Sequence, residues 1–456
     1  MVTAQTATPT EKKLLRDLGP AHAASIVIGV VIGSGIFLVP AEMIQAAGSA
    51  RLVYLAWIVG GIFSFFGAVT YAELGAMKPQ AGGEYVYIRD AYGPLAGFLT
   101  GWTWTVIIKP TSLAAISTGI VRLLTNFPYF AFLSHPLISI ARFSFTSGQL
   151  VAIAFVVFIS IVNYIGVRRA GNFQLAFTIL KIVLIIAISG LAFISRGDWA
   201  HFTQHYSGAT GGIAGFVAAV AAALWAYDGW SDLNMVAEEV RDPERNIPLA
   251  LVGGLVTICA LYMIVNAAVQ YALPAVTVAQ SASPMADAVR ASLLGSAAAI
   301  VVSAAMVISL STSLNGVAMS GSRMAFALAR DGNFFSNLAK VHPRFHTPHV
   351  AIFVQAVLSV CFLLIGGSFR QLFTLAIFAE WLSYMAASGS LFVFNRGTIV
   401  QRPVWRYPLA PALFIVASTG LLYYTFTSNL RYSSLGVLVI LGGIPVYYWF
   451  AQHRKL

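Results

Sequence analysis

The chain has 456 residues, of which 58% are hydrophobic and only 9% charged, against roughly 25% charged residues in soluble domains. With a mean hydropathy of +0.80 it cannot cover a water-facing surface, which excludes a water-soluble enzyme, a nucleic-acid binder and a disordered protein. The formal net charge of +11 then reads as basic loops facing anionic headgroups.

Residues 1–21 are polar and carry Lys12, Lys13 and Arg16. No small-residue cleavage site follows a short apolar core, so a retained cytoplasmic segment is expected rather than a secretory signal. Apolar stretches long enough to cross a bilayer, roughly 20 residues each, then recur to the end of the chain. They lie at 22–47, 51–76, 94–125, 147–166, 172–195, 212–237, 247–273, 297–329, 350–367, 370–395, 408–428 and 432–451. The pattern predicts an all-α polytopic membrane protein with twelve transmembrane helices, and porin-like strand alternation is absent. Residues 282–294 read as a short amphipathic helix outside the core. With the N-terminus inside, eighteen of the 27 Lys and Arg fall in inner loops and seven in outer ones, leaving Lys109 and Lys181 within the membrane. Both termini, including the tail 452–456, are therefore expected in the cytoplasm, with the chain multi-pass in the inner (plasma) membrane.

Two spans carry breaks in matching places. The first has Gly33-Ser34-Gly35 at mid-depth and the sixth has Asp228-Gly229. Glycine pairs loosen a helix, and an aspartate there is not tolerated facing lipid. Interrupted helices at corresponding positions of two halves point to a transport site at the bilayer midplane. The rising first helix would offer free N–H groups near Ser34, Gly35 and Ile36, which suit a carboxylate. The descending sixth would offer carbonyls near Trp225 and Ala226, which with those of Val31 and Ile32 suit an ammonium. Anion and cation ends a few ångströms apart fit a zwitterion, an amino acid.

At these residues the chain resembles the amino acid–polyamine–organocation superfamily, and within it the light-chain-type L-amino acid transporters and their bacterial relatives. The likeness runs through Ile-Gly-Ser-Gly-Ile-Phe (32–37), Tyr-Ala-Glu-Leu-Gly (71–75), Gly-Gly-Glu-Tyr (82–85), Ile-Ile-Lys-Pro-Thr-Ser (107–112), Ala-Tyr-Asp-Gly-Trp (226–230), Glu-Glu-Val-Arg-Asp-Pro-Glu-Arg-Asn-Ile-Pro (238–248), Leu-Asn-Gly (314–316) and Gly-Ile-Pro-Val-Tyr (443–447). The resemblance implies a LeuT-type fold: inverted five-helix repeats over 22–195 and 212–395, then two further helices over 408–451. It implies that Ser34 and Gly35 amides hold the substrate carboxylate, that carbonyls of Val31, Trp225 and Asp228 hold the amine, and that Trp225 is an aromatic lid. Eukaryotic light chains pair through an extracellular Cys with a heavy chain. Residues 126–146 contain none, so no disulfide-linked heavy chain is expected. Cys259 and Cys361 sit in apolar runs, so neither a disulfide framework nor a thiolate metal site is implied.

Lys181 lies about ten residues into the fifth span, roughly 15 Å deep. A central lysine costs roughly 2.5–3.5 kcal/mol on the milder insertion scale and needs a partner or a role. By resemblance it stands where sodium-coupled relatives hold a cation, and Ser309 and Ser313, on one face of the eighth helix, are its expected partners. Asp228 either contacts the substrate amine or caps the lower half of the sixth helix. Asp232 lies a turn below, facing the cytoplasmic side. Glu380 and Lys109 read equally as a gate, a mutual pair or a proton relay. Glu73 reads as a packing or loop-anchoring carboxylate. His342, His346 and His349 have metal-like spacing but no neighbouring carboxylate, so no metal and no cofactor are expected. Hydrolase and phosphate-loop motifs are absent.

The expected activity is secondary transport of small or medium neutral L-amino acids by alternating access, as sodium-independent exchange. That substrate range follows from an expected apolar lining beneath Trp225. Proton-coupled symport is the alternative within the class, and a transporter-like receptor or channel is the alternative outside it.

Overall fold

The computed structural model describes residues 14–140, 143–195, 197–290, 292, 294–365, 369–395, 408–428 and 430–453. Of the loop and terminal Lys and Arg, Lys12, Lys13, Arg142, Arg196, Arg396, Arg402, Arg406, Arg454 and Lys455 lie outside them.

The first span is two helices, α1 (Pro20–Val31) and α2 (Gly35–Ala47), bent by 41° across the break. Pro20 opens α1 where an N–H would be unsatisfied anyway. Gly48 closes α2 in the left-handed conformation. α3 (Ala50–Met77) starts on Ser49, whose hydroxyl accepts the Leu52 N–H. A short helix α4 (Glu84–Tyr92) leads to α5 (Pro94–Thr103) and α6 (Lys109–Leu124), joined by a π-helical turn over Trp104–Ile108. Pro110 cannot donate a backbone hydrogen bond, and a widened turn just before it absorbs the mismatch.

Two strands, β1 (Pro136–Ile140) and β2 (Phe143–Thr146), pair antiparallel before α7 (Ser147–Tyr164). The sequence reading did not anticipate this hairpin. Thr146 and Gln149 form a reciprocal capping box at the start of α7. α8 (Val167–Phe193) completes the first half.

The second half begins with α9 (Gly212–Ala226), a turn, and the one-turn α10 (Asp232–Met235). Then follow α11 (Pro243–Ala272), α12 (Ala275–Gln280), α13 (Pro284–Arg290), α14 (Ala298–Arg330), α15 (His349–Ile365), α16 (Phe369–Phe394), α17 (Leu409–Ser428) and α18 (Leu430–His453). The amphipathic stretch expected at 282–294 is thus a shorter helix preceded by a second one.

Among the described residues nine helices are long and apolar enough to cross a membrane, ten if α1 and α2 are one span. α9 and α15, at positions expected to span, are shorter apolar helices. The chain is a multi-pass helical membrane protein. Its main core gathers buried side chains of α1, α2, α3, α9 and α11. Long apolar side chains such as Val183 and Ile186 of α8 remain exposed where lipid would lie.

Candidate functional site

The two breaks meet. Gly229 has φ +108°, and a Cβ there would stand 2.7 Å from Val30 Cγ1 and 3.5 Å from the Val31 nitrogen. Only glycine satisfies both the backbone angle and this approach. Between the breaks lies a cavity of about 100 Å³, walled also by α6, α14 and α16. That is several times the roughly 10–15 Å³ a cavity needs to hold a single water.

Of the residues nominated for substrate, Val31, Gly33, Ser34, Gly35, Trp225, Ala226, Asp228 and Gly229 line this cavity. The N–H groups of Ser34, Gly35 and Ile36, at the uncapped start of α2, meet no acceptor among the described residues. Free N–H groups at a helix start form an anion-binding end. Trp225 stands over it, with Cζ3 3.3 Å from where a Gly35 Cβ would lie.

The carbonyls nominated for the amine are largely in use. Tyr262, on α11, donates its hydroxyl to Val31 O at 3.2 Å and to Ala226 O at 2.8 Å. One phenol therefore ties the two breaks together, and nothing in the sequence around Tyr262 marked it. Trp225 O accepts the Asp228 N–H at 3.3 Å. Ile32 lies apart from these. It is fully buried, is not on the cavity wall, and its carbonyl serves Lys181 and Ser309 instead.

Lys181, only 1% exposed, donates to Gly29 O at 2.9 Å, Ile32 O at 2.6 Å and Ser309 O at 3.1 Å. Its link to α14 thus runs through the backbone carbonyl of Ser309, one of the two serines expected as its partners. Those hydroxyls act in parallel: Ser309 Oγ donates to Ile32 O and Gly33 O, Ser313 Oγ to Gly29 O and Val30 O. Helices carrying the break, the lysine and the serines are locked at one level.

Asp228 accepts its neighbour's Gly229 N–H at 2.8 Å, while α10 begins after Ser231, so Asp228 does not cap that helix. Lys109 pairs with Asp232, whose second oxygen accepts from Ser320 Oγ at 2.9 Å. Glu380 is bonded by Tyr384 at 2.9 Å. Asp228, Asp232, Glu380 and Lys109 all face the cavity. Its wall thus carries these four polar groups within a mainly apolar lining that includes Val30, Ile116, Trp225, Leu310 and Val317.

Glu84, fully buried at the start of α4, was not singled out by sequence. Neither carboxylate oxygen meets a donor in hydrogen-bond geometry. Burial pushes its pKa from 4.5 up to about 8, against the lowering influence of its own backbone N–H and Lys109. On the side of the molecule that holds Leu18, Arg323 and Glu239 form a fully buried ion pair, and Leu18 bonds the strand-like segment at Val240. Among the described residues no cluster of His, Cys, Asp and Glu could hold a metal ion.

The chain matches the amino acid permease family over residues 18–447. It is 31% identical to the serine/threonine exchanger SteT of Bacillus subtilis, over 97% of this chain and 98% of that protein. It is likewise 31% identical to the human b(0,+)-type amino acid transporter 1, over 99% of this chain and 91% of that protein. Identity to the human cystine/glutamate transporter is 30%, over 96% and 86% respectively.

Proposed function

The chain belongs to the amino acid permease family, and from that premise we propose that it exchanges small neutral L-amino acids across the cell membrane without sodium. Amino acid transport is the general activity; it is not an enzyme. The observation that carries the reading is one small cavity lined both by Ser34 and Gly35, at the helix start whose N–H groups meet no acceptor among the described residues, and by Asp228. The substrate carboxylate sits on the N–H groups. Its ammonium sits toward Asp228 and the carbonyls of the breaks, with Trp225 covering the side chain.

Sodium independence rests on Lys181. An ammonium has three protons, a neutral amine two, and three carbonyls converge on this nitrogen. A fixed positive charge there supplies what a metal cation would otherwise supply. It also favours exchange over symport, because deprotonation would strand a carbonyl.

The architecture goes with this reading. Two inverted five-helix repeats, 22–195 and 212–395, bring the breaks together, and the helices over 408–451 flank them. Both termini lie in the cytoplasm, in keeping with the excess of Lys and Arg in the loops on their side. The chain works without a disulfide-linked heavy chain, since residues 126–146 hold no cysteine. Alternating access then requires separating the pairs that close the inner side, Lys109–Asp232 and Arg323–Glu239.

A cationic amino acid is the second reading. It is favoured by the cavity wall, which carries three carboxylates and one lysine.

Counterflow of labelled serine into liposomes holding the pure protein tests the proposal. Flux that survives replacement of sodium by choline, depends on internal amino acid and ignores a pH gradient supports it. A large loss in choline would reveal a sodium site, and flux driven by a pH gradient into empty liposomes would establish symport.

A further inference from the structure

Away from the substrate cavity, a second and larger pocket of about 480 Å³ opens beside the N-terminal end of α8. Arg168, Arg169 and Arg344 converge on it together with His346. No carboxylate pairs with any of the three arginines among the described residues; Arg169 meets the carbonyl of Ile165, between α7 and α8, at 3.5 Å. The single acid on the wall, Asp17, is engaged by Arg241 at 3.3 Å.

Arg168 and Arg169 occupy the first turn of α8, which has no capping side chain and no acidic residue there. Cations are repelled at that end of a helix dipole, and anions are attracted. The positive loop bias explains why the residues are basic. It does not explain why they gather around one concavity at an uncapped helix start. Arg344 is also held in place. Its loop packs on Tyr164, the last residue of α7, through His342 and Phe345 with ring centroids 5.2 and 5.7 Å away, and Thr347 Oγ1 bonds Tyr164 O at 2.8 Å. Arginine forks on a fixed frame match phosphate oxygens.

We propose that this pocket binds the phosphate headgroup of an anionic membrane lipid. A lipid, rather than a free phosphate, is the source because apolar surface runs from the pocket into the membrane region. Ile165 lines the pocket, and one turn back Ile161 is 54% exposed, followed by Phe158 at 53%. Acyl chains would lie along that face while the headgroup meets the arginines. The pocket also includes Leu15 and Asp17, just ahead of α1. A bound headgroup would thus join the segment leading into the broken helix to α8 and to the 342–349 loop. The proposal rests on the cytoplasmic orientation given above, which puts this pocket at the inner leaflet.

The test is thermal unfolding of the purified full chain with added phosphatidylglycerol, phosphatidylcholine or inorganic phosphate. Phosphatidylglycerol should stabilise it and the other two should not. Changing Arg168, Arg169 and Arg344 together to Gln should weaken the phosphatidylglycerol response roughly 100-fold in half-maximal concentration, about fivefold for each charge. Arg344→Gln alone, on an exposed loop, should show the fivefold step even if the triple variant folds poorly. Lys340→Gln, a nearby exposed cation outside the pocket, should change nothing. An unaltered phosphatidylglycerol response in the arginine variants would overturn the site. Equal stabilisation by inorganic phosphate would overturn the lipid as its occupant. Serine added in the same assay keeps the two readings apart: a response to lipid without one to any amino acid sinks the transport proposal and leaves this one standing.

Discussion

Lys181 delivers three protons to three carbonyls on two separate helices, so its loss is felt by the frame rather than by the ligand. Lys181→Ala is expected to cut transport far more than substrate binding, and Lys181→Arg to rescue poorly, because a planar guanidinium does not replace a compact ammonium. Uptake into liposomes, set against binding measured in detergent, checks this; equal losses in both would place the lysine in the substrate site. Glu84 makes a second residue-scale prediction. Between 4.5 and about 8 the unfolded chain gives up this proton and the folded chain keeps it. Stability therefore falls as pH rises through that window. Glu84→Gln should raise the Tm at about pH 7.5, with the gap closing near about pH 5. A pH-independent difference between the two proteins would refute it. Neither role was legible from the residues alone: the sequence marked Lys181 by its depth in an apolar run, but Glu84 lies in a polar stretch that reads as a loop.

At the scale of elements, the start of α2 carries the anion end. A Cβ on Gly35 would already stand 3.3 Å from Trp225 and 3.4 Å from the Ala226 side chain, and a branched side chain also covers the N–H groups. Gly35→Val should abolish transport while leaving folded protein in the membrane, and amino acid amides should compete poorly with the parent acids. Amides that compete equally would remove the assignment. α11 supplies the clasp that periodicity could not reveal. Tyr262→Phe deletes the one hydroxyl proton that Val31 O and Ala226 O share, worth about 0.5–1.5 kcal/mol, and leaves Val31 O without the phenol that links it to α9. A lower Tm and a several-fold lower flux are expected, read by thermal unfolding and counterflow; an unchanged flux would show that the two breaks move independently of this tie. The break itself was visible as Gly33-Ser34-Gly35 and Asp228-Gly229. Which groups it leaves free was only half visible, because a helix that stops no longer obeys the spacing from which a face is read. Ile32, nominated for the ligand and found serving Lys181, is the case in point.

For the whole molecule, size and charge of the cavity pull in different directions. A cavity of only about 100 Å³ favours alanine, serine or threonine, whereas the carboxyl groups of Asp228, Asp232 and Glu380 favour a second positive charge. A thermal-shift series resolves this, since a ligand at 100 times its Kd stabilises by roughly 2.7 kcal/mol. Serine and alanine are expected to lead, with Trp225→Phe extending the range to longer side chains. A lead by arginine, ornithine or tryptophan would replace the neutral reading with the cationic or bulky one. Sequence by itself determined that the chain lives in a membrane, where its apolar stretches fall and where two of them break, because hydropathy and helix-breaking residues act through neighbours along the chain. Tertiary structure alone decided that Lys109 pairs with Asp232 rather than Glu380, that Tyr262 ties the breaks, that three arginines share one pocket, and that Asp228, Asp232, Glu380 and Lys109 share one cavity wall. Each of these joins residues far apart in sequence, and inside a bilayer a polar group takes whichever partner the packing of helices brings within hydrogen-bond reach, a choice that no local pattern encodes.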